Sequence, residues 1–160
     1  MTVSRKSVLL AALSMCLLWL AAPASGQLRM GPRLAQSFGN DGARLIEDVG
    51  LERALALFSG MSSPFREGDT YLYVLDGEGT IRAHPYANLI GDNILKTKDP
   101  DGIPFVREMI MRAAAEPEGF WARYVWLRPS DGRLWKKLVW VRPVNGLLLV
   151  AGAYVEPYAR

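Results

Sequence analysis

Three runs near the C-terminus constrain the fold of this chain more than any other feature. Residues 120–126 read FWARYVW, residues 133–141 RLWKKLVWV and residues 147–155 LLLVAGAYV. They are rich in β-branched and aromatic residues, and RPSDG and RPVNG, both strong turn signals, separate them. Strands joined by such short turns lie antiparallel and side by side, which predicts a three-stranded meander. The last run is apolar throughout, as in a central strand covered on both faces.

The rest of the chain falls into place around that meander. TYLYVL (70–75) and TIRAH (80–84) flank the turn DGEG and predict a β-hairpin. Residues 85–102 follow, dominated by Pro, Asn, Asp and Gly; a loop of this length in a compact domain is usually functional or disordered. Leu89, Ile90, Ile94 and Leu95 would pin it to the core. Pro104 opens a predicted helix, with Phe105, Met109 and Ala113 in one row, Val106, Ile110 and Ala114 in the next, and Arg107, Glu108 and Arg112 outward.

Upstream, residues 32–58 carry Leu34, Phe38, Leu45, Ile46, Val49, Leu51, Ala54, Leu55 and Phe58 at helical spacing. Gly39-Asn40-Asp41-Gly42 and Gly50 interrupt it, predicting a long helix with a break and then a short one. SGMSSPFREGD is read as a loop. The order helix, hairpin, loop, helix, meander describes an α+β domain with one mostly antiparallel sheet.

Residues 1–24 are set apart as a signal peptide. Arg5 and Lys6 precede an apolar stretch from Val8 to Leu20, and Ala22-Pro23-Ala24 offers a cleavage site after Ala24, with a second after Gly26. The apolar run is short for a membrane anchor. Cys16 lies within the leader, preceded by a bulky Met15 that argues against lipoprotein processing, so the mature chain would hold no cysteine. Losing Arg5 and Lys6 takes the formal charge from +3 to +1. A near-neutral chain with scattered basic residues has no electrostatic footprint for nucleic acid. Residues 25–160 make one domain with one core, with no room for a cytoplasmic output domain.

The chemistry-bearing stretch is IRAHPYANLIGDNILKTKDPDG, residues 81–102, with the sole histidine, His84, and Asp92, Asp99 and Asp101. Four readings compete. A catalytic one makes His84 a general base oriented by Asp92 or Asp99, but no nucleophile motif accompanies it. A metal site lacks ligands, since DPDG is only half of a calcium loop. A turn whose aspartates cap the helix near Pro104 is the favoured reading for Asp99 and Asp101. A ligand-binding wall is the last: alternation puts Phe120, Ala122, Tyr124 and Trp126 on one face of their strand, and Trp135, Lys137, Val139 and Val141 on one face of the next. A lysine buried there would need an anionic partner; the alternative, which composition alone favours, is that Lys137 points to solvent beside Lys136 and the aromatics are core.

Together GLERALALF, GDTYLYVLDGEGTIRAHP, IGDNILKTKDPDGIPFVREM, RYVWLRP, KKLVWV and LLLVAGAYV resemble, in order and spacing, the single Cache domain, an extracytoplasmic ligand-sensing module. The resemblance covers residues 45–156. It implies a long N-terminal helix on a PAS-like, five- to six-stranded antiparallel sheet, with a pocket between the sheet and the loop-plus-helix excursion. It also implies a small organic acid of the acetate, propionate, pyruvate or lactate type as ligand, with a membrane sensor protein as a candidate partner; no cofactor and no metal are expected, and the signal peptide predicts a periplasmic or secreted location. His84, Tyr124 and Lys137 are the positions carried over as ligand-binding, with Tyr73 and Trp126 beside them. Arg123, Phe120 and Val139-Trp140 depart from the family's pattern, and the bulk of Phe120 or Trp140 is expected to narrow the pocket. Two further readings stay open: an interaction module with a filled pocket, and an enzyme using His84 as base.

Overall fold

A computed structural model describes residues 24–159, with side chains from Met30 onward. The predicted signal peptide, with Cys16, lies outside the described residues except for Ala24. No helix among the described residues is long and apolar enough to cross a membrane.

Helix α1 spans Ala24–Val49 and helix α2 spans Leu51–Phe58. The break expected at residues 39–42 does not occur. Gly39 and Gly42 are there because the helix presses on the sheet: a Cβ on Gly39 would sit 2.6 Å from Trp140 Cδ1, and one on Gly42 would sit 3.0 Å from Leu149 and 3.1 Å from Leu72. The predicted break at Gly50 does occur, where φ is 83°, a conformation that only glycine adopts without strain.

The strands are β1 (Arg66–Glu67), β2 (Thr70–Asp76), β3 (Ile81–Ala83), β4 (Phe120–Leu127), β5 (Leu134–Val144) and β6 (Leu147–Pro157). β1 falls inside the stretch expected to be loop. Helix α3 spans Phe105–Ala113. The meander forms as predicted, β4 beside β5 beside β6, and the hairpin pairs β2 with β3. The β5–β6 turn is Asn145-Gly146, both at positive φ (50° and 79°), the geometry whose twist matches the flanking strands.

The sheet runs β1-β2-β6-β5-β4, all antiparallel, so β6 is central. Its continuous apolar sequence is thereby explained: one face meets α1, the other the excursion between β3 and β4. Two cores result. Ala35, Ala43, Ile46 and Phe58 of the helices pack on Leu72, Val74, Leu149 and Ala151. On the opposite face Tyr71, Tyr73, Phe120, Tyr124, Val139, Val141 and Val150 pack under Phe105, Val106 and Met109 of α3. Arg112 does not simply face outward; its guanidinium lies 4.1 Å over the Phe120 ring and donates to the Trp121 carbonyl.

Candidate functional site

Between the second face and the excursion lies a cavity of about 90 Å³. β2 contributes Tyr71 and Tyr73, the β3 region Ile81 and His84, the loop Leu89, Asp92 and Ile94, α3 Phe105, and β4 Tyr124 and Trp126. The lining is mostly apolar and aromatic with a few polar tips, the usual make-up of a small-molecule pocket. Four of the five residues singled out from sequence, Tyr73, His84, Tyr124 and Trp126, meet in this one cavity.

The polar tips are specific. The hydroxyls of Tyr73 and Tyr124 lie 3.3 Å apart on neighbouring walls, both buried. Burial, more than any neighbour, raises both phenols above their ordinary range, so both stay protonated and able to donate. His84 follows β3, and its Nδ1 accepts the Tyr86 N–H at 2.9 Å. That bond leaves Nε2 as the hydrogen-bearing nitrogen. Burial, then the positive charge of Lys137, lowers the His84 pKa from 6.5 to about 4, so the imidazole is neutral at neutral pH. Trp126, 38% exposed, stands at the rim with its ring edge-on to Phe105 at 5.6 Å.

Lys137 is the fifth residue, and it is not among the residues that line the cavity. It is 1% exposed, and its Nζ sits 3.8 Å over the Tyr71 ring, 4.9 Å from that of Tyr154 and 5.9 Å from that of Tyr73. No carboxylate among the described residues forms an ion pair with it. The tyrosine faces supply part of the stabilisation that a counter-ion would give. Reaching Tyr71 from β5 means crossing β6, and Gly152 makes the crossing possible. A Cβ there would sit 2.6 Å from both Lys137 Cε and Val139 Cγ1.

Sequence reasoning missed Gly152 and also Tyr71, whose signal was available: strand alternation puts Tyr71 on the same side as Tyr73. Phe105, Asp92 and the two loop aliphatics, Leu89 and Ile94, could be placed only once the excursion had a position.

The expected roles of the aspartates need correction. Helix α3 has Pro104 at its N-cap and no side-chain cap. Asp99 is instead buried, its carboxylate accepting three backbone N–H groups, from Asp101, Ile103 and Val125. Asp101 accepts the Tyr158 hydroxyl. Neither Asp92 nor Asp99 orients His84, whose Nδ1 is taken by a backbone donor.

Trp140 also corrects an expectation. It faces α1, where its Nε1–H donates to Asn40 Oδ1 at 3.1 Å and its ring meets Trp121 edge-on at 5.2 Å. Phe120 is on the cavity face but is absent from the cavity lining. Neither fills the pocket.

Residues 48–159 match the family model described as Cache domain. The chain belongs to the Cache domain family. Cache domains are extracytoplasmic sensor domains, and the similar solved structures agree with that fold. A methyl-accepting chemotaxis protein from Vibrio parahaemolyticus RIMD 2210633 superposes with a TM-score of 0.65 at 18% identity, over 82% of this chain and 93% of its own. A periplasmic sensor domain of a chemotaxis protein and a Cache chemosensory domain studied for carboxylic acid recognition each give 0.60 at 21% identity. Both cover 82% of this chain, with 94% and 93% of their own lengths. No curated protein sequence matches this Cache chain. At these identities the solved structures speak for the fold alone.

Proposed function

We propose that this Cache domain binds a short organic acid of the acetate, propionate, pyruvate or lactate type in the cavity and reports its occupancy to a membrane sensor protein. The observation that carries the reading is Lys137: a cation 1% exposed, with no carboxylate partner among the described residues, held against the Tyr71 wall. A carboxylate in the cavity would supply the missing negative charge, and Tyr73, Tyr124 and the neutral His84 offer hydrogen bonds to its oxygens. Support for the ligand class comes from the structurally similar Cache domain described for carboxylic acid recognition.

The small volume favours acids of a few carbons. The domain acts after removal of residues 1–24, in the periplasm or outside the cell. The filled-pocket alternative loses its ground with Trp140 on the helix face and Phe120 outside the lining. The base-catalysis alternative loses the carboxylate that would orient His84.

A thermal-shift and calorimetric series across short mono- and dicarboxylates tests the proposal. An acid present at a hundred times its Kd should add about 2.7 kcal/mol to stability. Lys137→Ala should abolish that gain, and Tyr124→Phe should weaken binding by about tenfold. Absence of stabilisation by every acid would refute the ligand class.

A further inference from the structure

We propose that Asp99 is a positioning residue for the cavity wall: its carboxylate ties the loop before α3 to β4 between Tyr124 and Trp126, and so sets the stack of Phe105 on Tyr124.

Asp99 is 6% exposed. Its Oδ1 accepts the N–H of Asp101 at 3.0 Å and of Ile103 at 2.9 Å, which shapes the Asp99–Gly102 turn. Its Oδ2 leaves that turn and accepts the Val125 N–H at 3.1 Å, 26 residues away in sequence. β4 is the outermost strand of the sheet, so an N–H on its free edge has no neighbouring strand to bond. The loop's carboxylate takes that place. Val125 stands between Tyr124 and Trp126, whose side chains both line the cavity.

The other half of the stack is set by the same turn. The Ile103 carbonyl accepts the N–H of Asp99 and that of Phe105, both at 3.0 Å, fixing the first residue of α3. The Phe105 and Tyr124 rings then lie 4.1 Å apart at 13°. One carboxylate thus determines where both rings stand, a role that the turn alone does not require. Asparagine would keep one oxygen for the Asp101 and Ile103 amides but turn an NH₂ group toward Val125, separating the two functions.

The test compares Asp99→Asn and Asp101→Asn with the wild type by amide exchange, ring-to-ring NOEs and calorimetry with propionate. Asp99→Asn should speed Val125 exchange by about tenfold or more while Ile103 stays protected. It should also weaken the Phe105–Tyr124 NOEs and lower propionate affinity at equal folded fraction. Asp101→Asn should change none of these. Wild-type Val125 protection in Asp99→Asn, or a freed Val125 with the stack and affinity unaltered, would overturn the proposal. The binding arm rests on the carboxylate reading. If the wild type ignores propionate and every other acid of the series, that reading fails, and exchange and NOEs alone decide the role of Asp99.

Discussion

The two faces of the sheet are built from the same strands and obey opposite rules. Along β2, Leu72 and Val74 point to α1, while Tyr71 and Tyr73 point to the cavity. The helix face is packed solid from aliphatic residues with Phe58, Phe65 and Trp121 among them, and Gly39 and Gly42 bring α1 into contact with Trp140, Leu149 and Leu72. The cavity face is aromatic with polar tips, and it holds a buried lysine, a buried histidine and about 90 Å³ of space. A period of two residues therefore lets one strand supply close packing on one side and recognition on the other. Stability and ligand binding become separable by face, although not by strand.

That separation can be broken or sharpened by substitution, starting with the largest effect. Leu72→Ala, at a fully buried position of the helix face, should cost about 2–5 kcal/mol in chemical denaturation. The fraction that stays folded should bind acids as the wild type does; a matching loss of affinity would mean that the faces are coupled through β2.

The next effect belongs to the cavity face and depends on pH. His84 has a folded pKa of about 4 against 6.5 when unfolded, so between those values the unfolded chain binds more protons. Stability should be fully present above pH 6.5 and fall by up to about 3 kcal/mol as the pH drops toward 4. Denaturation midpoints across that range check it, and His84→Asn should flatten the slope.

The smallest and sharpest comparison makes one change on each face. Gly39→Ala gains about 1 kcal/mol of helix propensity but drives a methyl into Trp140, an overpacking worth about 1–3 kcal/mol. A modest net loss of stability with unchanged binding is expected. Gly152→Ala instead obstructs the Lys137 stem, so it should weaken acid binding and, by moving the ammonium, raise the His84 pKa in an NMR titration. Equal effects of the two alanines on binding would deny Gly152 its special role.

Much of this architecture was legible in the sequence. Alternation in residues 120–126 and 133–141 placed Tyr124 and Lys137 on one face, and the observed register sets those two directly opposite. Local chemistry also marked Gly50 and the Asn145-Gly146 turn. Reading failed where the meaning of a residue depended on a distant one. Gly39 and Gly42 looked like breakers because propensity is blind to the sheet that the helix must touch. Asp99 looked like a cap because its third partner, Val125, is 26 residues away. The departure at Trp140 looked like a threat to the pocket, although its parity along β5, read against Lys137 and Val139, already pointed it the other way.

What the sequence by itself determined was of short range: strands β2 to β6, their turns, helices α2 and α3, and the side of each strand on which a residue lies, but neither β1 nor the unbroken course of α1. Those follow from periodicity and from the few residues that tolerate positive φ. Only the tertiary structure decided that β6 pairs with β2 and brings Gly152 opposite Tyr71. With that pairing Lys137 crosses β6 to stand over the Tyr71 ring, and the excursion of residues 85–104 closes over the tyrosines and His84. These are long-range contacts, selected by how two finished surfaces fit together, and no local pattern encodes that fit.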